Sequence, residues 1–409
     1  MNFDINTKDQ LELFITNNWN TINSYLDDLS CPLPTPIYSS VDIRESKTKF
    51  APVDLNIYPA GFNNLCQLDL DASTKVFRSS LKKHFDDISN ITIIPESHTK
   101  NLFYLDHLAY LQKTLRDAGY NVNIATTDEN LFQTDSVLTL ISHSKFELKI
   151  YKAHIDNEGY LWVNNKKSDL ALLNNDQSEP LELNWDESKT PITPTPKIGW
   201  FRRQKSEHFT FYKEIVETFS KRFSIDPMLI MADFKSIEQV DFSKKDGLEK
   251  VALEIDKLKT NLPLNSKIFV KAGQGTYGMG ISVVQKGRDI IEMNRKARNK
   301  MDVGKNKIKF TSVVIQEGVD SILKYDDMPA EVAIYLVDGK AVGGFLRANS
   351  LKDNQSNLNS KGMIFKKYCI SEIRENSDHQ AKEAIYSVIA RLSTIAGAKE
   401  IQHIFQEGK

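Results

Sequence analysis

Residues 268–284 read IFVKAGQGTYGMGISVV, and within them GQGTYG fits the pattern G-x-G-x-x-G. A dinucleotide-binding turn needs a strand, the glycines, and then a helix whose amino end receives the pyrophosphate. The strand is present as Ile268-Phe269-Val270-Lys271. After the glycines, however, comes Ile281-Ser282-Val283-Val284, a β-branched run, and glycine is costly inside a helix. The stretch therefore reads strand–glycine loop–strand, which excludes the dinucleotide turn. No Lys-Ser or Lys-Thr follows the glycines, so a Walker loop is excluded too, and the H-R-D and D-F-G elements of a protein kinase are missing. Gly273, Gly275, Gly278 and Gly280 are more than a plain turn requires. They would let backbone N–H groups approach phosphate oxygens, with Lys271 supplying a point charge, in a hairpin that opens and closes over a nucleotide.

Outward from this loop, residues 267–349 are short β-rich runs, with Asp338-Gly339-Lys340 as a hairpin turn between two apolar stretches. A final helix is predicted over 380–396, stopping at Gly397. The first half is α/β in pattern. NITIIP (90–95) reads as a strand, Leu105, Leu108, Leu111 and Leu115 mark a helical face ending at Gly119, and YNVNIAT (120–126) reads as a second strand. That unit predicts a parallel sheet, continued by strands at 137–141 and 146–151. Residues 174–198, with prolines at 191, 194 and 196, read as a linker or surface crossing. A helical pattern returns over 209–223.

The expected fold class is α/β, α+β in the C-terminal half. The expected division is an N-terminal α/β substrate-binding domain (1–190), a segment at 191–265, and a lid-bearing core at 266–409.

A formal charge of -1 over 409 residues argues against a bulk electrostatic grip on nucleic acid or membrane. The basic run 295–309 reads as solvated surface. No apolar run approaches the ~20 residues that span a bilayer, and MNFDINTKDQ has no signal-peptide pattern. Cys31, Cys66 and Cys369 are few, odd in number and far apart, so neither a disulfide framework nor a zinc site is expected. The chain reads as cytoplasmic with reduced thiols, Cys66 and Cys369 being core residues.

The lysine, the glycine hairpin, the strand ending Gln316-Glu317-Gly318-Val319, and EVAIYLVDGKAVGGFLRAN, in that order, resemble the ATP-grasp ligases. The bacterial glutathione synthetase is similar in this half. The whole chain resembles the proteobacterial, ATP-grasp-related type of glutamate–cysteine ligase. SVDIRESKTKFAPVDLNIYPAGFNNL (40–65), IPESHTKNLFY (94–104), GWFRRQKSEHF (199–209) and FVKAGQGTYGMGI (269–281) carry the likeness.

The resemblance implies an ATP-grasp-like fold with an N-terminal parallel-sheet substrate domain. It also implies ATP- and Mg²⁺-dependent joining of the γ-carboxylate of L-glutamate to the amine of L-cysteine through an acyl phosphate. On that likeness Lys271 contacts the α/β-phosphates, and Gly273, Gln274, Gly275, Thr276 and Gly278 form the lid. Gln316, Glu317 and Val319 pair with adenine, and Arg347 stands near the γ-phosphate. Asn357 and Asn359 fit a turn beside the reacting phosphate or a plain turn. An earlier lysine is expected about sixty residues before the lid, with Lys213 the first choice and Lys205 its rival. Many ATP-grasp enzymes hold Mg²⁺ on a late acidic strand ending E-x-N, which is missing after Cys369. Glu331 and Glu317 are then the metal candidates, with Asn359 as a carbonyl ligand.

In α/β sheets ligands gather beyond the carboxyl ends of strands. Glu96 and His98 stand there, as do Asn63 and Asn64, which serve equally as turn formers. Arg44, Lys49, Arg202 and Arg203 suit a substrate carboxylate or ordinary ion pairs. Two alternatives stay open: another carboxylate–amine ligase such as a glutathione synthetase, or a non-catalytic nucleotide-binding module.

Overall fold

A computed structural model describes residues 3–96, 101–132, 136–177, 185, 188–273, 280–302, 312–369 and 380–407. The chain opens with helices α1 (Lys8–Asn17) and α2 (Trp19–Ser30), then strands β1 (Tyr38–Glu45) and β2 (Phe50–Asn56). Thr7 caps α1 in a capping box with Gln10, satisfying amide groups that the first turn leaves open. Next come α3 (Gln67–His84), β3 (Asn90–Pro95), α4 (Leu102–Asp117) and β4 (Asn121–Thr126), then β5 (Val137–Ile141) and β6 (Glu147–Ile155). The short strands β7 (Leu161–Val163), β8 (Lys166–Lys167), β9 (Leu170–Asn174) and β10 (Ile192–Thr193) follow. After α5 (Lys205–Phe223), β11 (Phe234–Glu238) and α6 (Lys245–Lys259), the glycine loop joins β12 (Ile268–Ala272) to β13 (Ile281–Val284). Helices α7 (Gly287–Ile291) and α8 (Arg295–Asp302) lead to β14 (Ser312–Glu317), β15 (Lys324–Tyr325), β16 (Met328–Val337), β17 (Lys340–Asn349), β18 (Met363–Lys367) and α9 (Gln380–Glu407).

Three sheets result. The first has the order β10-β9-β3-β4-β6-β7-β8 and is parallel from β10 to β6, with β5 antiparallel on β6. The second is small and antiparallel, β11-β14-β12-β13. The third is also antiparallel, β18-β17-β16-β1-β2, with β15 on β16. It joins residues 38–56 to residues 324–367, so the two ends of the chain build one layer. Among the described residues no helix is long and apolar enough to cross a membrane.

Strand–helix–strand over 90–126 forms as its periodicity predicts. Residues 191–194 do more than cross the surface, because Ile192 and Thr193 add an edge strand to β9, the one place in a sheet where prolines fit. The last helix does not stop at Gly397 but runs on to Glu407. A side chain at 397 would come within 2.6 Å of Leu55, so the glycine marks a close approach to β2 rather than a helix end. The thiols also depart from expectation. Cys66 and Cys369 form a disulfide with Cα atoms 5.6 Å apart, while Cys31 is free and exposed. A separation of 303 residues hides such a pair from any spacing argument.

Helix α9 is apolar around most of its circumference, as a helix surrounded by protein must be. Ile385, Ile389, Leu392 and Ile395 pack with Ile15, Leu26, Val41, Ile43, Val332, Ile334 and Phe219 in one core. It therefore locks β1 and β16 together from below. Leu392 is fully buried there, so Leu392→Ala should cost about 2–5 kcal/mol in urea-induced unfolding. A loss under about 1 kcal/mol would show that α9 is not part of the cooperative core.

Candidate active site

Side chains alternate across a strand, and in β1 that alternation separates apolar from charged residues. Val41 and Ile43 face the α9 core, which leaves Asp42 and Arg44 on the other face. Val332 and Ile334 do the same in β16, leaving Glu331, and Leu55 does so in β2, leaving Asp54. Asp54 lies opposite Asp42, and Glu331 opposite Arg347 of β17. Like charges directly across strands destabilise a sheet unless cations intervene. Here Arg347 donates through Nη1 to Asp42 Oδ2 at 2.6 Å and to Glu331 Oε1 at 2.9 Å. Arg44 Nε donates to the other Glu331 oxygen at 2.8 Å, and Lys205 Nζ to Asp54 Oδ1 at 2.8 Å.

The small antiparallel sheet lies over this charged face. Between them is a pocket of about 600 Å³, counting its open mouth. Lys271, Phe269, Gln316 and Glu317 line the upper wall; Asp42, Arg44, Asp54 and Glu331 form the floor; Asn357 and Asn359 close one side. Lys271 Nζ donates to the Val53 carbonyl at 2.6 Å and to Gln316 Oε1 at 2.7 Å, so it bridges both sheets. Burial lowers its pKa to about 7, with Asp54 opposing. For Asp54, burial pushes upward, yet Lys205 and Lys271 hold the carboxyl below its usual range. Burial also works against ionised Glu331, but Arg44 and Arg347 keep it low. Asp42 is pushed up by burial, with Arg347 opposing.

The root of the glycine loop is fixed. Gly273 N–H donates to the Ser312 carbonyl at 2.9 Å, and its own carbonyl accepts from Lys205 N–H at 2.8 Å. Any Cβ at 273 would collide with Ser312 Oγ, so this position needs glycine for space. Gln274, Gly275, Thr276, Gly278 and His98 lie outside the described residues.

The pocket gathers Arg44, Lys271, Gln316, Glu317, Val319, Glu331 and Asn359 from the sequence candidates. It does not gather Lys213, which is on the outer side of α5, half exposed beside Glu217. Its rival Lys205 stands in the pocket, because it is the first residue of the helix whose start bonds to Gly273. Arg347 does not line the pocket: it stands beside Glu331 on the same face of the sheet, mostly buried, neutralised by Asp42 and Glu331. Arg203 is not placed for substrate either: it is buried, holds Glu400 with two bonds at 2.7 and 3.1 Å, and donates to the Leu55 carbonyl at 2.6 Å. Arg202 lies outside the pocket, and its N–H donates to the Gly199 carbonyl at 2.9 Å.

Asn63 and Asn64 form a short 3-10 turn, and Glu96 accepts from the Asp176 amide at 2.5 Å at the carboxyl end of the parallel sheet. Of the metal candidates, Glu317 accepts from Lys49 at 2.7 Å and from Asp233 N–H at 3.0 Å, while Glu331 is engaged by two arginines. The sequence reading missed Asp42 and Asp54. Their signal was there in VDIR and VDLN, each an aspartate set in an apolar strand, the second as D-x-N.

The glutamate-cysteine ligase family profile matches residues 12–401. A crystal structure from Methylobacillus flagellatus KT, of a protein assigned as a gamma-glutamylcysteine synthetase, is similar at 31% identity. It covers 96% of each chain with a TM-score of 0.87. A glutathione synthetase-like effector from Globodera pallida, in apo form, is more distant, at 12% identity and TM-score 0.40 over 82% of this chain and 76% of that one. Curated protein sequences gave no match. The chain belongs to the glutamate–cysteine ligase family, and it is an enzyme of ATP-dependent acid–amino-acid ligation in glutathione biosynthesis.

Lys271 gives a direct test of the pocket. A lysine titrating at about 7 is largely neutral at about pH 8, and a phosphate beside it favours the charged form. ATP binding should therefore take up as much as about one proton at about pH 8 and little at about pH 6, measured by calorimetry in buffers of different ionisation enthalpy. Lys271→Arg should remove that difference, because arginine stays charged. Equal uptake by wild type and variant would place the nucleotide phosphates elsewhere.

Proposed function

We propose that ATP lies between the two antiparallel sheets and that L-glutamate and L-cysteine meet its terminal phosphate above the β1–β2–β16 floor. The observation that carries this is the convergence of Lys205, Lys271 and Arg44 with Asp42, Asp54 and Glu331 in one pocket. A carboxylate is a poor electrophile until one oxygen becomes a good leaving group. A γ-carboxylate oxygen attacks the γ-phosphorus and ADP departs. The cysteine amine then attacks the acyl carbon, phosphate leaves, and the nitrogen loses its proton.

In this reading Lys271 and Lys205 flank the phosphates, and Arg44 meets the charge spread over the transferring phosphoryl group. Arg347 acts from beside the pocket by fixing Asp42 and Glu331. Gly273 is the hinge of a lid formed by Gln274, Gly275, Thr276 and Gly278, and Gln316, Glu317 and Val319 border the adenine. Asn63, Asn64, Glu96, His98 and Arg202 remain the proposals for amino-acid binding. The reaction is assigned to the cytoplasm.

Mg²⁺ fits this donor set in one form only. Among the described residues no three His, Cys, Asp or Glu side chains form a metal-binding group by themselves. Mg²⁺ is commonly held by one or two carboxylates together with substrate phosphates, and all the side-chain donors here are hard oxygens. Asp42, Asp54 and Glu331, with Asn359, would hold it. When bound, it would neutralise charge between the β- and γ-phosphates. In this reading β1 and β2 supply, from the amino-terminal end, carboxylates in place of the late acidic strand ending E-x-N.

Oxygen transfer tests the chemistry. With ¹⁸O in the γ-carboxylate of glutamate, one labelled oxygen should appear in the released phosphate per turnover, and only when cysteine is present for full release. Asp42→Asn and Asp54→Asn should each lower kcat by about 10²–10³. Phosphate without label would exclude the acyl phosphate. Turnover of γ-glutamylcysteine with glycine, and none with glutamate and cysteine, would move the enzyme to the next ligation.

A further inference from the structure

The turn that carries Asn63 and Asn64 is held at successive backbone groups by buried side chains from β9, β16 and α4. Asn174, the last residue of β9, donates through Nδ2 to the Pro59 carbonyl at 3.0 Å and to the Tyr38 hydroxyl at 2.9 Å. Tyr335 of β16 donates to the Ala60 carbonyl. The Phe62 N–H donates to Nδ1 of His107, on α4, at 3.2 Å. That bond fixes the tautomer: Nδ1 keeps its lone pair, so Nε2 carries the proton and donates to Asn174 Oδ1 at 2.9 Å. Burial lowers the pKa of His107 to about 4, which keeps the ring neutral at about pH 7. Asn174 also reaches the Glu96 loop, since the Tyr104 hydroxyl donates to the Asn174 carbonyl at 2.8 Å and accepts from the Glu96 N–H at 2.9 Å. Asn174 and His107 are 2% and 1% exposed, so both act from behind the surface.

The turn stands on the sheet face that forms the pocket floor. Tyr335 and Glu331 point to one side of β16, and Ala333 between them lies opposite Asp42. The Phe62 ring packs edge-on against Tyr335. Gly61 has a φ of +112°, and a Cβ there would come within 2.8 Å of Tyr335 Oη, so the backbone has one place to go. Any slack in these bonds would move Asn63 and Asn64 relative to the charged floor.

We infer that Asn174 and His107 are positioning residues for the amino-acid substrates: they fix the Pro59–Leu65 turn and the Glu96 loop so that Asn63, Asn64 and Glu96 present a preformed wall to an amino acid beside the charged floor. This rests on the reading that the amino acids bind at these loops. A primary amide has two N–H donors and one acceptor oxygen, and Asn174 commits all of them. An aspartate would set a carboxylate against the Pro59 carbonyl, and an apolar residue would leave His107 and Pro59 without partners. Misplacing a substrate-binding group by about 1 Å costs as much as about 10² in rate. The hydrogen bonds of Asn174 and His107 do not involve Lys271, Lys205 or Gln316, so nucleotide binding is left unchanged.

Three variants of the full chain test this. Tyr104→Phe removes one oxygen and keeps the ring in place. His107→Leu takes the acceptor from the Phe62 amide, and His107→Asn puts an amide oxygen where Nδ1 stands. With glutamate, cysteine and ATP varied in turn, Tyr104→Phe and His107→Leu should raise KM for glutamate, for cysteine or for both by about five- to tenfold or more, with KM for ATP within about twofold. His107→Asn should recover most of the loss. Calorimetry of L-glutamate and of L-cysteine, with a non-hydrolysable ATP analogue present, should show the same weakening without turnover. A merely structural role would shift all three KM values together or none. The inference falls if both amino-acid KM values stay at the wild-type level in Tyr104→Phe and His107→Leu, or if KM for ATP rises as far as theirs. Amino-acid binding that weakens in the variants, in an enzyme that makes no γ-glutamylcysteine, would keep the positioning role and sink the ligase reading. γ-Glutamylcysteine formed with unaltered amino-acid KM values would do the reverse. Neither binding nor turnover of either amino acid by the wild type would sink both.

Discussion

The antiparallel pairing of β1 with β16, Tyr38 on Val337 through Ile43 on Val332, is the contact on which the site depends. It brings residues near the amino end into a layer otherwise built from residues 324–367. Without it Asp42, Arg44 and Asp54 have no place in the pocket, and Glu331 and Arg347 lose half their partners. Strand alternation then does two tasks at once. Val41, Ile43, Val332 and Ile334 seal the layer onto α9, and the intervening positions must carry whatever faces the pocket.

That face is charged and largely closed to water, which is costly unless every ion is matched. The structure matches them in an alternating chain: Lys205 on Asp54, Arg347 on Asp42 and Glu331, Arg44 on Glu331. At about 4 Å a unit pair is worth about 4 kcal/mol at an effective dielectric of about 20, against about 1 kcal/mol in bulk water. Charges fixed in this way meet a phosphoryl group without having to reorganise. Lys271 is the exception, since its immediate acceptors are a carbonyl and an amide oxygen rather than a carboxylate. Burial accordingly weakens its hold on the proton, and an arriving anion would restore it.

Much of this was legible in the sequence where the signal is local. The β-branched run after the glycines fixed a hairpin rather than a helix, and Lys271 before them pointed to the pocket wall. Leucines at 105, 108, 111 and 115 marked α4. Local signals failed where a distant partner decides. Gly397 reads as a helix stop, but tertiary packing against Leu55 explains it. Lys213 and Lys205 share a helix, and only the contact with Gly273 distinguishes them. Arg203 looks free in sequence and is spent on Glu400, 197 residues away. The family resemblance directed attention to acidic residues late in the chain, whereas the pocket also takes Asp42 and Asp54 from β1 and β2. The Cys66–Cys369 bond is the extreme case, with no local trace at all.

A crystal structure with Mg²⁺ and a non-hydrolysable ATP analogue shows whether β1 and β2 reach the metal. The metal should be bonded to at least one of Asp42 and Asp54 at about 2.0–2.1 Å, with the analogue's phosphates beside Lys271 and Lys205. A metal whose protein ligands all come from residues 312–369, with β1 and β2 untouched, would contradict it.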